Sequence, residues 1–219
     1  MSEVIAIDGP SGSGKSSTAR GVAKRLGFEF LDTGAMYRAA TLAVLNAGVD
    51  PEDRVAVNEV VDSIELVSQT DPDNPAIFLN NEDVSEAIRS QEVTAAVSFV
   101  ASSPHVREAM VLRQRANIAA APGIVVEGRD IGSVVAPDAI LKIYLVADPK
   151  ARAQRRAAEA NTDFAQTKDA LLVRDEIDST REASPLTQAS GAIVVDSTHL
   201  SLDEVIDRIC SLFEEANHD

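Results

Sequence analysis

The sequence predicts an α/β fold, with a parallel central sheet flanked by helices and one inserted subdomain. Three observations carry this. Short apolar runs alternate with helical stretches along the 219-residue chain. Those runs are continuously apolar, as suits strands buried on both faces. The rhythm breaks once, over residues 48–100, where two short runs flank the turn-rich Asp71-Pro72-Asp73-Asn74-Pro75.

The elements follow in order. Val4 to Ile7 reads as a strand ending at Asp8-Gly9. Lys15 to Leu26 reads as a helix with Ala19, Val22, Ala23 and Leu26 on one face and Gly27 as its stop. Phe28 to Leu31 is a second strand, and Ala35 to Ala47 a helix stopped by Gly48. Within the inserted segment, Ile64 to Val67 and Ala76 to Leu79 form a hairpin or small antiparallel sheet. Ile124 to Val126, Leu141 to Val146 and Ala192 to Val195 are further strands. The helices between and after them are Pro104 to Ala120, Pro149 to Ala160, Lys168 to Arg181 and Leu202 to Ala216. The last opens on a capping box, Ser201 with Glu204.

Composition narrows the function. Lys and Arg number 20 against 35 Asp and Glu, a formal charge of −15, which argues against coating nucleic acid or an anionic membrane. Aromatics make up 4% with no Trp, so a base-stacking platform is not expected. The single cysteine, Cys210, excludes an intrachain disulfide and a Cys-rich zinc site, and its apolar helical setting reads as a buried hydrophobe. His105, His199 and His218 lack metal-ligand spacing. There is no leader pattern and no apolar run long enough to span a bilayer, so the expectation is a soluble, cytoplasmic monomer without membrane or nucleic-acid partners.

The strongest motif is Gly9-Pro10-Ser11-Gly12-Ser13-Gly14-Lys15-Ser16, which fits G-x-x-x-x-G-K-[ST] between a strand and a helix. Its glycines let backbone N–H groups close around phosphate oxygens, Lys15 reaches the outer phosphates, and the Ser16 hydroxyl is offered to Mg²⁺. The helix N-terminus adds its dipole. A nucleoside triphosphate is therefore expected. A switch GTPase is disfavoured because no N-K-x-D occurs and Asp130-Ile131-Gly132 lacks the D-x-x-G spacing.

Arginines gather where such a site would need them. Arg38 and Arg129 follow strand ends on the edge that carries the phosphate loop. Arg174, Asp178 and Arg181 share one helix face, as do Arg152, Arg155 and Arg156 on another. Helical charge faces are often only solvated surface. Beside a phosphate loop, guanidinium groups fit the cationic clamp that phosphoryl transfer to an anionic acceptor requires.

I-A-I-D-G-P-S-G-S-G-K-S-S (5–17), D-T-G-A-M-Y-R (32–38), E-D-V-S-E-A-I-R-S (82–90), V-E-G-R-D-I-G (126–132), R-D-E-I-D-S-T-R (174–181) and V-V-D-S-T (194–198) together resemble the bacterial cytidylate kinases, nucleoside monophosphate kinases of the P-loop NTPase type. The resemblance runs nearly the whole chain. It implies a core of residues 1–47 and 102–219, an inserted monophosphate-binding subdomain at 48–101 and a short lid at about 150–166. It implies ATP on Gly9, Pro10, Ser11, Gly12, Ser13, Gly14, Lys15, Ser16 and Ser17, with Arg155 reaching it from the lid. Thr33, Tyr37 and Arg38 would line the monophosphate pocket. Ser98, Arg107 and Asp130 would meet the cytosine edge, and Arg38, Arg129 and Arg181 the CMP phosphate. Arg174 and Asp178 would meet a ribose or deoxyribose. Lys15, Arg129, Arg155 and Arg181 would be the catalytic cations, Ser16 the Mg²⁺ ligand, and phosphoryl transfer from ATP to CMP or dCMP the reaction. The alternatives are another small-molecule kinase of the same type or an ATP-binding regulator without activity. Ser16-Ser17 stand where many relatives have Thr, and Ile177 and Ser179 where some have further arginines.

The acidity is local. Residues 48–100 hold 12 acids and two bases, so −10 of the −15 falls in the inserted segment.

Overall fold

A computed structural model describes residues 2–160, 163–180 and 184–218; the side chains of Glu159, Ala160, Gln166, Ala170, Arg174 and His218 also lie outside the described set. Five strands, β1 (Glu3–Asp8), β2 (Glu29–Asp32), β6 (Gly123–Gly128), β7 (Leu141–Val146) and β8 (Ile193–Asp196), form one sheet in the order β2-β6-β1-β7-β8. Every pairing in it is parallel. The β1 run is fully buried beyond its first residue and β6 is buried throughout, which is why they read as unbroken apolar stretches.

Helices cover both faces. On one, α1 (Lys15–Leu26) packs with α8 (Leu202–His218) over Ile5, Ile7, Val125, Ile143 and Leu145. Phe28 and Phe213 meet edge to face there, with centroids 5.5 Å apart. Cys210 is buried in this layer, as expected. The Ser201–Glu204 capping box forms: Ser201 N donates to Glu204 Oε2 at 2.8 Å and Glu204 N to Ser201 Oγ at 3.3 Å.

On the other face, α2 (Thr33–Asn46) lies between the sheet and the inserted segment. That segment holds α3 (Arg54–Ser63), a separate antiparallel sheet of β3 (Leu66–Gln69), β4 (Ala76–Leu79) and β5 (Glu82–Asp83), a 3₁₀ turn (Ala87–Arg89) and α4 (Gln91–Val100). The expected hairpin is present in register, Leu66 opposite Leu79 and Gln69 opposite Ala76. Val57, Val61, Ile77, Leu79, Val97 and Val100 share one core with Ala6, Val126 and α2. Next comes α5 (Pro104–Ala120), followed after β6 by a π-helical turn (Ile131–Val135). Beyond β7 lie α6 (Pro149–Ala160) and α7 (Phe164–Thr180).

Some boundaries differ from the sequence reading. α2 begins at Thr33 because Asp32 caps it, accepting from Ala35 N at 2.9 Å. α7 begins at Phe164, a turn before the expected Lys168; Thr167 returns both its N–H and its hydroxyl to Asp163 O there. Arg181, its expected end, and residues 161 and 162 of the expected lid at about 150–166 lie outside the described residues. No helix among the described residues is long and apolar enough to cross a membrane.

Candidate active site

The phosphate loop connects β1 to α1. Gly9 has φ +152°, and a Cβ there would lie 2.1 Å from Leu145 O of β7, so only glycine passes between the strands. Gly14 caps α1 at φ +89° without a side-chain bond, so no capping side chain competes with an anion for the positive end of the helix. Lys15 is 5% exposed, and its Nζ donates to Pro10 O at 2.8 Å and Ser13 Oγ at 3.5 Å. Ser16 Oγ donates to Glu127 Oε1 at 2.6 Å. Ser11, Gly12, Gly14, Lys15, Ser16 and Ser17 line a cleft of about 780 Å³, ample for small-molecule substrates.

The two helices after β7 hold this loop from behind. Arg152 Nη1 donates to Ser11 O at 3.0 Å and pairs with Asp175 Oδ2, while Ser11 N donates to Asp175 Oδ1 at 3.2 Å. Arg155 donates to Ser197 O at 2.5 Å and Ser197 Oγ at 3.0 Å. The Ser197 hydroxyl in turn reaches Ser13 O at 3.2 Å. Arg155 thus sits beside the loop on the segment after β8.

Three carboxylates stand at the carboxyl ends of adjoining strands. Asp32 of β2 pairs in register with Glu127 of β6, and Ile7, next to Asp8, pairs with Glu127 on the other side. Burial raises Glu127 to about 7, with the Asp32 charge adding to the rise; Lys15, the Ser16 hydroxyl and Arg129 oppose it. Burial likewise raises Asp8 to about 6, against the amides of Gly132 and Ile131 that it accepts. Among the described residues no group of three or more His, Cys, Asp or Glu side chains is arranged to hold a metal. Ser16 and Glu127 nonetheless give hard oxygen donors at the phosphate loop. That suits Mg²⁺, which takes one or two protein oxygens and fills the rest with phosphate and water.

The other half of the cleft is built by α2, α4, α5 and the loop after β6. Thr33 Oγ1 donates to Glu127 O at 2.8 Å. Arg107 is 3% exposed and Asp130 4%. Arg107 Nη2 lies 2.5 Å from Asp130 Oδ2, its Nη1 donates to Ala101 O at 3.2 Å, and its guanidinium carbon stands 5.2 Å from the Tyr37 ring centroid, a cation–π contact. Arg107 Nε is buried without a partner, a donor that an acceptor on a ligand would satisfy. Ser98 of α4 lines the same cleft.

Arg38, Arg89, Arg129 and Arg156 also converge on it. Arg38 donates to Ile88 O at 3.1 Å and Thr94 Oγ1 at 2.9 Å. Burial, and after it the neighbouring charge of Arg156, lower Arg38 to about 10, with Arg89 and Arg129 adding to the fall. Arg129 Nε donates to Asp178 Oδ2 at 2.9 Å. Burial works against the Arg129 charge, but the charge and hydrogen bond of Asp178, together with Glu127 and Asp175, hold the guanidinium above its usual range. Guanidinium groups gathered in one cleft, where burial and then mutual repulsion lower Arg38, suit a receptor for anions.

Of the residues singled out by sequence, Ser11, Gly12, Gly14, Lys15, Ser16 and Ser17 of the phosphate loop come together in the cleft with Thr33, Tyr37, Arg38, Ser98, Arg107, Arg129, Asp130 and Asp178, while Gly9, Pro10 and Ser13 do not line it. Arg155 adjoins it through Ser197. The Arg174 side chain and all of Arg181 lie outside the described residues. Sequence reasoning missed Glu127, Arg89 and Asp175, and gave Arg156 no role of its own. Glu127 had a readable signal, an acid closing an apolar run, and Arg89 sat within a recognised motif. Asp175 also sat within a quoted motif, R-D-E-I-D-S-T-R, but nothing local pointed to its bond with the phosphate loop 164 residues away.

The family model for cytidylate kinase matches residues 5–215. Cytidylate kinases of Streptomyces avermitilis and Streptomyces coelicolor are 49% and 50% identical, each match covering 97% of this chain and 93% of the relative. That of Nocardia farcinica is 50% identical over 94% of this chain and 91% of its own. Among solved structures, a gluconokinase from Sinorhizobium meliloti 1021 shares the fold with a TM-score of 0.53 at 15% identity, covering 97% of this chain and 92% of that one.

Proposed function

The chain belongs to the cytidylate kinase family, and from that premise we propose that it transfers the γ-phosphoryl group of ATP to CMP or dCMP, giving ADP and CDP or dCDP. The observation that carries the reading is the buried Arg107–Asp130 pair lying in one cleft with the phosphate loop. Cytosine presents an amino donor beside two acceptors. Asp130 takes the amino group, as acids do when reading cytosine in duplexes, and Arg107 donates to the ring acceptors. Uracil would set an oxygen against Asp130 and is disfavoured by repulsion.

The phosphate loop holds ATP, and Ser16 with Glu127 would hold Mg²⁺. When bound, that ion neutralises charge on the transferred group. Arg38 and Arg129, with Arg89 and Arg156, grip the CMP phosphate, whose second ionisation near pH 6 leaves it nucleophilic without a general base. Lys15 and the arginines offset charge on the moving phosphoryl group as attacking and leaving oxygens align. Asp178 fixes the Arg129 guanidinium through its Nε. Residues 48–101 serve as the monophosphate-binding subdomain and 150–166 as the lid. Their closure excludes the water that would otherwise hydrolyse ATP.

A coupled assay of ADP release with CMP, dCMP, UMP, AMP and shikimate as acceptors tests the reading. CMP and dCMP should dominate. Preference for a non-nucleotide acceptor would sink it, as would nucleotide binding without acceptor-dependent turnover.

A further inference from the structure

Asp130 occupies a backbone position that would ordinarily claim its carboxylate. It immediately precedes the π-helical turn Ile131–Val135, and an acid there normally turns back to accept from the first free amides. Asp130 makes no such bond; its Oδ2 is committed to Arg107. The orphan amides are served from elsewhere in the chain. Asp8, the last residue of β1, accepts from Ile131 N through Oδ1 and from Gly132 N through Oδ2, both at 2.8 Å. It is 3% exposed. At the other end of the turn, Arg115 of α5 donates Nη2 to Val134 O at 2.7 Å and Nε to Val135 O at 3.1 Å. A carboxylate at the amide end and a guanidinium at the carbonyl end both match the dipole of the turn.

We propose that Asp8 and Arg115 are positioning residues for recognition of the acceptor's base. Asp8 caps the turn in place of Asp130, so that the Asp130 carboxylate is free to pair with Arg107 and take the cytosine amino group. The proposal rests on the assignment of Asp130 and Arg107 to the base. Without Asp8, two buried amides lose their acceptor, which is costly, and Asp130 is the adjoining carboxylate that can supply one. Its rotation toward the turn would break the Arg107 pair and the base contact together. Asparagine at position 8 preserves volume, but its amide nitrogen would face one of the two N–H groups.

The test measures KM for CMP and for ATP, and the CMP-to-UMP preference, in wild type, Asp130→Ala, Asp8→Asn and Arg115→Met. Loss of a buried, charge-assisted bond predicts a rise in KM for CMP of about tenfold in Asp8→Asn and about threefold in Arg115→Met. Both variants should discriminate less against UMP, while KM for ATP stays within about twofold. A purely structural Asp8 would instead lower stability with nucleotide preference intact, or raise both KM values through the adjoining Gly9; either outcome overturns the proposal. Arg115 is exposed, so its variant decides the matter alone if Asp8→Asn does not fold. Asp130→Ala separates the two levels of the reading. If it leaves CMP use unchanged, the base assignment falls and the positioning role with it. If it impairs CMP use while the other two variants behave as wild type, only the positioning role is overturned.

Discussion

Single side chains here carry more than one duty, and their substitutions should separate the duties. Lys15 folds back onto the loop that it serves, with Nζ on Pro10 O and Ser13 Oγ. Lys15→Ala should lower kcat by about 10² or more while the melting temperature stays near wild type, because the lost contact acts on transition-state charge. Near-normal turnover in a clean preparation would remove Lys15 from the mechanism. Asp8 shows the opposite balance, a cost carried by the resting fold. Its pKa rises from 3.8 to about 6, so the folded chain holds the proton more tightly than the unfolded chain does. Its contribution to stability is therefore fully present below the unfolded value and lost as pH rises through about 6. The shift corresponds to roughly 2–3 kcal/mol. Wild type should lose about that much relative to Asp8→Asn between about pH 4 and pH 7 in urea unfolding. Parallel pH profiles for the two proteins would show that the carboxylate does not titrate in this way.

At the scale of elements, the β3–β4 hairpin is tied to the core by its tip. Arg20 of α1 donates Nε to Pro72 O at 2.6 Å and Nη2 to Asp73 O at 2.8 Å. Phe30 N donates to Thr70 O at 2.8 Å, and Thr70 Oγ1 to Glu29 Oε2 at 2.5 Å. The Lys24–Asp73 pair beside them, at 2.6 Å, is exposed. Arg20→Ala should speed amide exchange across β3 and β4 and cost about 1 kcal/mol, whereas Lys24→Ala should change neither, since an exposed pair is screened by water. Equal effects from both would mean that the tip is held by charge rather than by carbonyl contacts. The same elements show what the sequence could reveal. β1 and β6 were legible because burial on both faces leaves an apolar run, and the phosphate loop because its glycines answer steric demands such as that at Gly9. α3 escaped notice because only Val57 and Val61 are buried on it, too few to set a period. α7 was placed late because its first turn is held by local polar bonds at Asp163 rather than by an apolar stripe. Within the site, motif residues were readable. The Asp8 bonds to the turn were not, since they join residues 123 and 124 positions apart.

For the molecule as a whole, the distribution of charge matters more than its sum. The chain is acidic, yet two thirds of the excess lies in residues 48–100, while Arg38, Arg89, Arg129 and Arg156 gather at the cleft, where burial first and then the neighbouring arginines bring Arg38 down to about 10. A dianionic phosphate bound among these arginines would relieve their mutual repulsion. Binding to the folded state alone raises stability by mass action, about 2.7 kcal/mol at a hundredfold excess over Kd. For a chain of this size that is a rise of roughly 5–10 °C in melting temperature. CMP should produce it, and added salt should shrink it by screening the phosphate contacts. Two comparisons at matched concentration divide the cause. Cytidine keeps the base contacts and lacks the phosphate, so it should shift the melt little. UMP keeps the phosphate and meets Asp130 with an oxygen, so it should fall between cytidine and CMP. A cytidine shift equal to that of CMP would show that the arginine cluster does not bind the phosphate. A UMP shift equal to that of CMP would show that Asp130 does not read the base.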